Sequence, residues 1–288
     1  MRALILGAGG QAGRALAAAA PEGAVVTALG RDECDVRDAG QVARAIEAAR
    51  AGIVFNAAAY TAVDRAESEP AEAGVLNAQA PGRIAAAAHR LGARLVHLST
   101  DFVFDGASGA PYRPDDPVSP LGVYARSKAD GEAAVAMADP AALIVRTAWV
   151  YAPEGANFVN TMLRLMRERE RVTVVADQLG TPTWAPSLAR ALWQLAANGA
   201  SGMHHFTDAG IASRYDFAVA IEEEARAAGL LERAVAVAPV RTGDYPTPAP
   251  RPACSVLDKS DTWALLGGAA PHWRVNLRAN IEELRRHG

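Results

Sequence analysis

A short aliphatic run over residues 3–6 breaks directly into Gly7-Ala8-Gly9-Gly10-Gln11-Ala12-Gly13, and no other feature narrows the fold so far. Glycines spaced Gly-x-x-Gly-x-x-Gly between a strand and a helix let the chain turn tightly. They also bring its amides against a diphosphate, at the positive end of the following helix. A side chain there would stand in the way. The turn therefore predicts a dinucleotide site built on Gly7, Gly10, Gln11, Ala12 and Gly13. The bland alternative is a strand-to-helix turn that is merely rich in small residues.

Beyond the turn, β-branched and aliphatic runs at residues 24–29, 53–56, 94–99 and 143–147 alternate with longer alanine-rich stretches of helical character. Such alternation predicts parallel strands joined by crossover helices, an α/β doubly wound parallel sheet whose ligand lies beyond the strands' C-terminal ends. After about residue 151 the pattern loosens. Helices are expected over 157–169 and 186–198, short strands over 172–176 and 203–207, a proline-rich segment over 245–252 and a closing amphipathic helix over 273–286. The reading is a dinucleotide-binding domain over 1–150 and a smaller C-terminal α+β substrate-binding lobe over 151–288, with the chain free to cross between them.

At 288 residues, half of them hydrophobic and with a net charge of -3, the chain can bury a large core and carries no general nucleic-acid footprint. Arg, Asp, Glu or Pro interrupts every alanine-rich stretch, so no membrane helix is expected. Cys34 and Cys254 lie far apart without metal-type spacing, so neither a disulfide framework nor a zinc site is expected, and the compartment is read as cytoplasmic.

At the end of the second strand, where an acidic residue often holds the ribose hydroxyls, the chain reads Gly30-Arg31. Arg31 could meet a 2′-phosphate, which favours NADPH or use of both NADPH and NADH. Asp32 and Glu33 next door could reverse that preference, and Arg31 could equally be solvated. Tyr124 and Lys128 stand four residues apart in an expected helix and project from one face. A neighbouring ammonium lowers a phenol's pKa, so Lys128 would tune Tyr124 and could hold ribose hydroxyls. Such a pair is common on helix surfaces. Its weight comes from Ser99-Thr100-Asp101 at the end of the fourth strand, where the Thr100 hydroxyl could polarise a carbonyl while Tyr124 donates a proton.

Together with Asn56-Ala57-Ala58-Ala59 after the third strand, these motifs resemble the extended short-chain dehydrogenase/reductase superfamily, with its Rossmann-type sheet. More narrowly, Gly10-Gln11-Ala12-Gly13, the run from Asn56 to Glu67, Ser99-Thr100-Asp101-Phe102-Val103-Phe104-Asp105-Gly106 and Arg146-Thr147-Ala148-Trp149-Val150-Tyr151 resemble the dTDP-4-dehydrorhamnose reductase family. Asp177-Gln178-Leu179-Gly180-Thr181-Pro182-Thr183 and the run from Arg251 to Asp258 extend the likeness over nearly the whole chain.

The resemblance implies reduction of the C4 ketone of a dTDP-4-keto-hexose by NADPH or NADH. Tyr124 would be the proton donor, with Thr100 and Lys128 completing the catalytic group. It implies Asp35 and Val36 by the adenine, Ala57, Ala58 and Ala59 along the cofactor, and Thr100, Asp101 and Trp149 on the sugar nucleotide. Some members are magnesium-bridged dimers using a Glu just after the glycine turn. Here Arg14-Ala15-Leu16 stands there, so no metal is expected and a monomer or homodimer stays open. Tyr60 also replaces the expected His of the third-strand motif.

Arg251, in a proline-rich loop, could bridge a diphosphate or simply stabilise the fold. Trp149 could be core packing. His97, His204 and His205 are read as structural, and the charged run over 167–171 as an exposed helix end. Two other functions remain open: another nucleotide-sugar reductase or a 4-epimerase that retains its NAD, and a non-catalytic dinucleotide-binding subunit like the regulatory subunit of methionine adenosyltransferase.

Overall fold

The computed structural model describes residues 1–287. Five strands, β1 (Arg2–Leu6), β2 (Val25–Leu29), β3 (Ile53–Asn56), β4 (Arg94–Thr100) and β5 (Leu143–Thr147), form one sheet with a sixth, Gly202–His205. Every pairing in it is parallel, and the order is 202–205, β5, β4, β3, β1, β2. Alternate residues of each strand go to opposite faces. Ala3, Ile5, Phe55 and Val145 join one apolar cluster, while Leu4, Leu6, Val54 and Ile144 join the other. A sheet buried on both faces needs near-continuous aliphatic strands, which is why these five were legible.

Helices Ala39–Ala49 and Ala80–Arg90 cover the second face, and Gln11–Ala18 covers the first beside Ala185–Ala197. After residue 151 the chain crosses back to the sheet. Helix Ala185–Ala197 and strand Gly202–His205, placed by the sequence reading in the C-terminal lobe, belong to the sheet and its covering layer. Helix Gln11–Ala18 buries only Gly13, Ala15 and Leu16 and cannot cover its face alone. Trp193 fills the gap, its ring 4.6 Å from Phe55 and its indole N–H donating to the Leu16 carbonyl at 2.9 Å.

A third apolar cluster gathers helices Phe158–Glu168, Arg214–Ala227 and Trp273–His287 around Phe217 and Trp273. Strand Arg171–Val175 pairs there with Ala236–Val240, a strand the sequence reading missed. Between β3 and β4, where a crossover helix was expected, the helix is broken by a π turn. Pro70–Gly74 passes through a π turn at Val75–Gln79 into Ala80–Arg90.

Candidate active site

The strand order reverses between β1 and β3, and the loops after those strands open a crevice there. Gly7 sits in it with φ +82°, and a Cβ on it would come within 2.6 Å of the Ala58 nitrogen. On Gly13, a Cβ would lie 2.2 Å from the Gly7 carbonyl oxygen. Gly7 thus serves the close packing of the turn against the Ala57-Ala58 backbone, and Gly13 the packing of the turn on itself. Gly10 precedes the helix that begins at Gln11, and no side chain caps that helix, so its first amides remain for a ligand.

Two adjoining cavities follow the crevice. One of about 260 Å³ is lined by Gly7, Arg31, Cys34, Asp35, Val36 and Leu76, along with the Ala57-Ala58-Ala59 backbone. Two of the carboxylates near Arg31 already have partners of their own. Glu33 accepts from the Gly30 amide at 2.8 Å, and Asp35 is held by the Arg37 guanidinium at 2.7 Å, which draws its carboxyl down to about 2.

The second cavity, about 630 Å³, runs from Gly9, Gly10, Gln11 and Ala12 to Thr100, Asp101, Tyr124, Lys128 and Trp149. Thr100 and Asp101 are delivered by the end of β4, and Tyr124 and Lys128 by helix Val123–Ala138. Three contacts seat that helix. The Glu67 carboxylate accepts from the Val123 amide at 2.7 Å, replacing the absent cap at Gly122. Asn77, buried in the π turn, donates to the Ser127 hydroxyl at 3.0 Å, and Ser127 donates to the Tyr124 carbonyl at 2.8 Å.

Burial dominates the site's titrations. It pushes the Tyr124 phenol up to about 12, with a hydrogen bond from Thr100 pulling the other way. It pushes Lys128 down to about 8 against the opposing field of Glu132. Burial is the largest influence on Tyr124, where a lowering by Lys128 was expected. The Lys128 ammonium turns to β4 and donates to the Leu98 carbonyl at 2.7 Å, and the environment raises the phenol. Asp101, also buried, rises to about 6 although it accepts from Thr100 at 3.1 Å and from Ser255 at 2.5 Å.

Trp149 holds a left-handed backbone, φ +46°, which costs a bulky residue strain and aims its indole at the cleft. Over that indole, 3.6 Å from the ring centroid, lies the Arg214 guanidinium, which the sequence reading did not single out. No periodicity marks Arg214. Its position comes from the capping box of Ser213 and Asp216, which starts its helix at the cleft wall. Burial lowers Arg214 to about 10, and it lines both the main cavity and a side cavity of about 380 Å³. Arg251 faces only the latter, where its guanidinium forks the Asp64 carboxylate at 2.8 Å through each terminal nitrogen. It is not gathered with Thr100, Tyr124 and Lys128.

The doubly wound sheet, the glycine cradle at its switch point and the Thr-Tyr-Lys group at its C-terminal edge define a dinucleotide-binding scaffold of the short-chain dehydrogenase/reductase type. A family model described as the RmlD substrate binding domain matches residues 1–286. The chain belongs to that family. A dTDP-4-dehydrorhamnose reductase of Burkholderia thailandensis is 44% identical over 295 residues, 99% of each chain. The crystal structure of a dTDP-4-dehydrorhamnose reductase of Bacillus anthracis in complex with NADP superposes with a TM-score of 0.92 at 34% identity, covering 98% of this chain and 99% of the other. A UDP-glucose 4-epimerase of Thermus thermophilus in complex with NAD, at 20% identity and a TM-score of 0.79 over 99% of both chains, shares the fold alone.

Proposed function

We propose that the chain reduces the C4 ketone of dTDP-4-dehydrorhamnose to give dTDP-L-rhamnose, using NADPH in preference to NADH. One observation carries the reading. Thr100, Tyr124 and Lys128 converge in a cleft that is continuous with the glycine cradle, in a chain of the reductase family.

The cradle suits a dinucleotide diphosphate because its glycines leave backbone, not side chains, at the crevice. Val36 and the Ala57-Ala58-Ala59 backbone flank the smaller cavity, where the adenosine half fits. Arg31 lines that cavity and can meet a 2′-phosphate there, since Glu33 is turned to the Gly30 amide and Asp35 to Arg37. When bound, the reduced nicotinamide supplies hydride to the ketone carbon. Tyr124, protonated at neutral pH, gives its proton to the ketone oxygen, and the Thr100 hydroxyl donates to the same oxygen. Lys128 spends one of its three N–H donors on Leu98, which leaves two for ribose hydroxyls. Asp101 accepts from a sugar hydroxyl, and Trp149 offers the pyranose a flat face.

For the nucleotide half we infer the side cavity, walled by Phe158, Met162, Val174 and Tyr245 and entered past Arg214. A cation lowered by burial, which the nearby Asp101 only partly offsets, favours an anion, and the substrate's diphosphate supplies one. Arg251, already paired with Asp64, braces the cavity wall. Replacing Arg214→Met is expected to raise KM for the sugar nucleotide at least tenfold and leave NADPH binding unchanged. Arg251→Met is expected to do less.

The deciding experiment follows NADPH absorbance with the dTDP-4-keto-hexose as substrate, beside a known reductase. Stoichiometric oxidation supports the proposal, and no oxidation sinks it. Protein that purifies with tightly held NAD and interconverts sugars without net oxidation would instead be an epimerase. Dinucleotide binding without either activity would mark a non-catalytic subunit.

A further inference from the structure

Glu132 lies two helical turns beyond Tyr124 and one beyond Lys128, so the three side chains share a face of helix Val123–Ala138. Consecutive residues of β4 meet all three. Thr100 hydrogen-bonds Tyr124, the Leu98 carbonyl holds Lys128, and the Ser99 hydroxyl donates to Glu132 at 2.5 Å. The Glu132 carboxylate is buried and forked by Arg146 of β5, from Nε at 2.9 Å and from Nη2 at 2.8 Å. Arg146 is itself held from several sides. It donates to the Pro114 carbonyl at 3.1 Å, meets His205 Nε2 at 3.3 Å, and lies 4.9 Å above the Phe104 ring.

Placing an ion pair in the core costs several kcal/mol of desolvation per charge, and apolar side chains of similar volume would cover the sheet as well. The Glu132 carboxylate follows Lys128 by one turn on the same helix face, where a fixed negative charge has a use. We propose that Glu132 is a positioning residue for Lys128, its carboxylate fixed by Arg146 and Ser99 so that it keeps the ammonium charged and aimed at the cleft where the dinucleotide ribose binds. The inference rests on the reading of Lys128 as a ribose-binding group.

The charged and titratable groups around Lys128 are few. Tyr124 and Glu132 share its helix, β4 brings His97, Asp101 follows β4, and β5 brings Arg146. His97 is held neutral by burial and by Lys128 itself. Helix Ala80–Arg90, packed alongside, sends His89 to Asp139 at the far end, and Asp64 and Arg65 are paired with Arg251 and Glu69. Glu132 is the carboxylate whose field raises Lys128 against burial.

The test is NADPH affinity, measured by calorimetry at pH 6 and pH 8 and read as the ratio to the unmutated chain, so that titration of the nucleotide cancels. Removing one fixed charge at helical spacing shifts a buried amine by about one pH unit. Glu132→Gln is therefore expected to match the parent at pH 6 and to bind about fivefold more weakly at pH 8, whereas Glu132→Asp stays near the parent at both. Equal weakening at both pH values, or none at either, overturns the proposal. Should Glu132→Gln fail to fold because Arg146 is left unpaired, Glu132→Gln with Arg146→Gln removes a cation along with the carboxylate, so a smaller deficit of the same sign is expected at pH 8, and affinity equal to or above the parent's overturns the proposal. Lys128→Met is the control. If the parent's loss of affinity towards pH 8 persists in it, the reading of Lys128 fails, and that failure is distinct from one confined to the Glu132 variants.

Discussion

Tyr124 separates chemistry from binding more cleanly than any other side chain in the cleft. Its ring edge meets Phe102 at 6.0 Å between centroids, so Tyr124→Phe keeps the packing and removes only the hydroxyl. Loss of a positioned proton donor costs roughly 10²- to 10⁴-fold in kcat, and NADPH affinity is expected to stay within about twofold. Steady-state rates and calorimetry on one preparation check both halves, and unchanged turnover would remove Tyr124 from the proton-donor role.

Asp101 makes the opposite trade. Its folded pKa of about 6 lies above the 3.8 of an unperturbed carboxyl, so between those values the folded state holds a proton that the unfolded state has lost. Stability therefore falls as pH rises through that window, and the full cost is present above pH 6. Asp101→Asn mimics the protonated form: Asp101 meets Thr100 and Ser255 through separate oxygens, so the amide oxygen can still accept from one hydroxyl while the amide NH2 donates to the other. The variant is expected to be more stable by on the order of 1 kcal/mol at pH 7.5 and no more stable near pH 3.5, with weaker turnover. Urea titrations at the two pH values check the sign.

Among the elements, the glycine turn makes the sharpest contrast. A methyl on Gly13 would overlap the Gly7 carbonyl, whereas one on Gly9 meets nothing within 4 Å and stands in the cavity. Gly13→Ala is expected to cost about 2 kcal/mol or more in denaturant melts, because backbone cannot yield as a side-chain tip can. Gly9→Ala should melt like the parent and bind NADPH at least tenfold more weakly. The turn was legible in sequence because its chemistry is local: a strand, three glycines and a helix within a dozen residues.

The Thr100, Tyr124 and Lys128 group was legible too, through its order after β4 and its helical spacing. What escaped was whatever is fixed by partners remote in the chain. Glu67 caps a helix that begins 56 residues later, and Asn77 is buried only because a π turn swings it under Tyr60 and Ser127. Arg214 reaches the cleft from a helix with no apolar stripe pointing there. The sign of the Tyr124 shift was misjudged for the same reason, since burial cannot be read from four-residue spacing.

At the scale of the whole molecule, the chain crosses back to the sheet after residue 150. Helix Ala185–Ala197 buries Leu188, Leu192, Trp193 and Leu195 against the sheet, Phe206 follows the strand that closes the sheet's edge, and Trp193 ties back to Leu16. Arg94 reinforces the tie by donating to the Ala196 and Ala200 carbonyls, each at 2.8 Å. On the cleft side, Asn157 donates to Gln11 at 2.9 Å, joining the loop after residue 151 to the glycine-turn helix. A fragment of residues 1–150 would expose the aliphatic face formed by Ala3, Ile5, Phe55 and Val145 and leave β5 as an open edge. Losing the burial of several large side chains, each contributing about 1.5–3 kcal/mol, exceeds the net stability of a typical domain. The fragment is therefore expected to lack a cooperative melt and to bind no NADPH, and adding residues 151–206 should not suffice while Phe217 and Trp273 are missing from the third cluster. Calorimetry of the full chain should show one transition that moves upward as a whole with saturating NADPH, because ligand binding to one part stabilises everything that unfolds with it. Two resolved transitions, only one of them shifted by the dinucleotide, would show instead that the C-terminal elements fold and melt on their own.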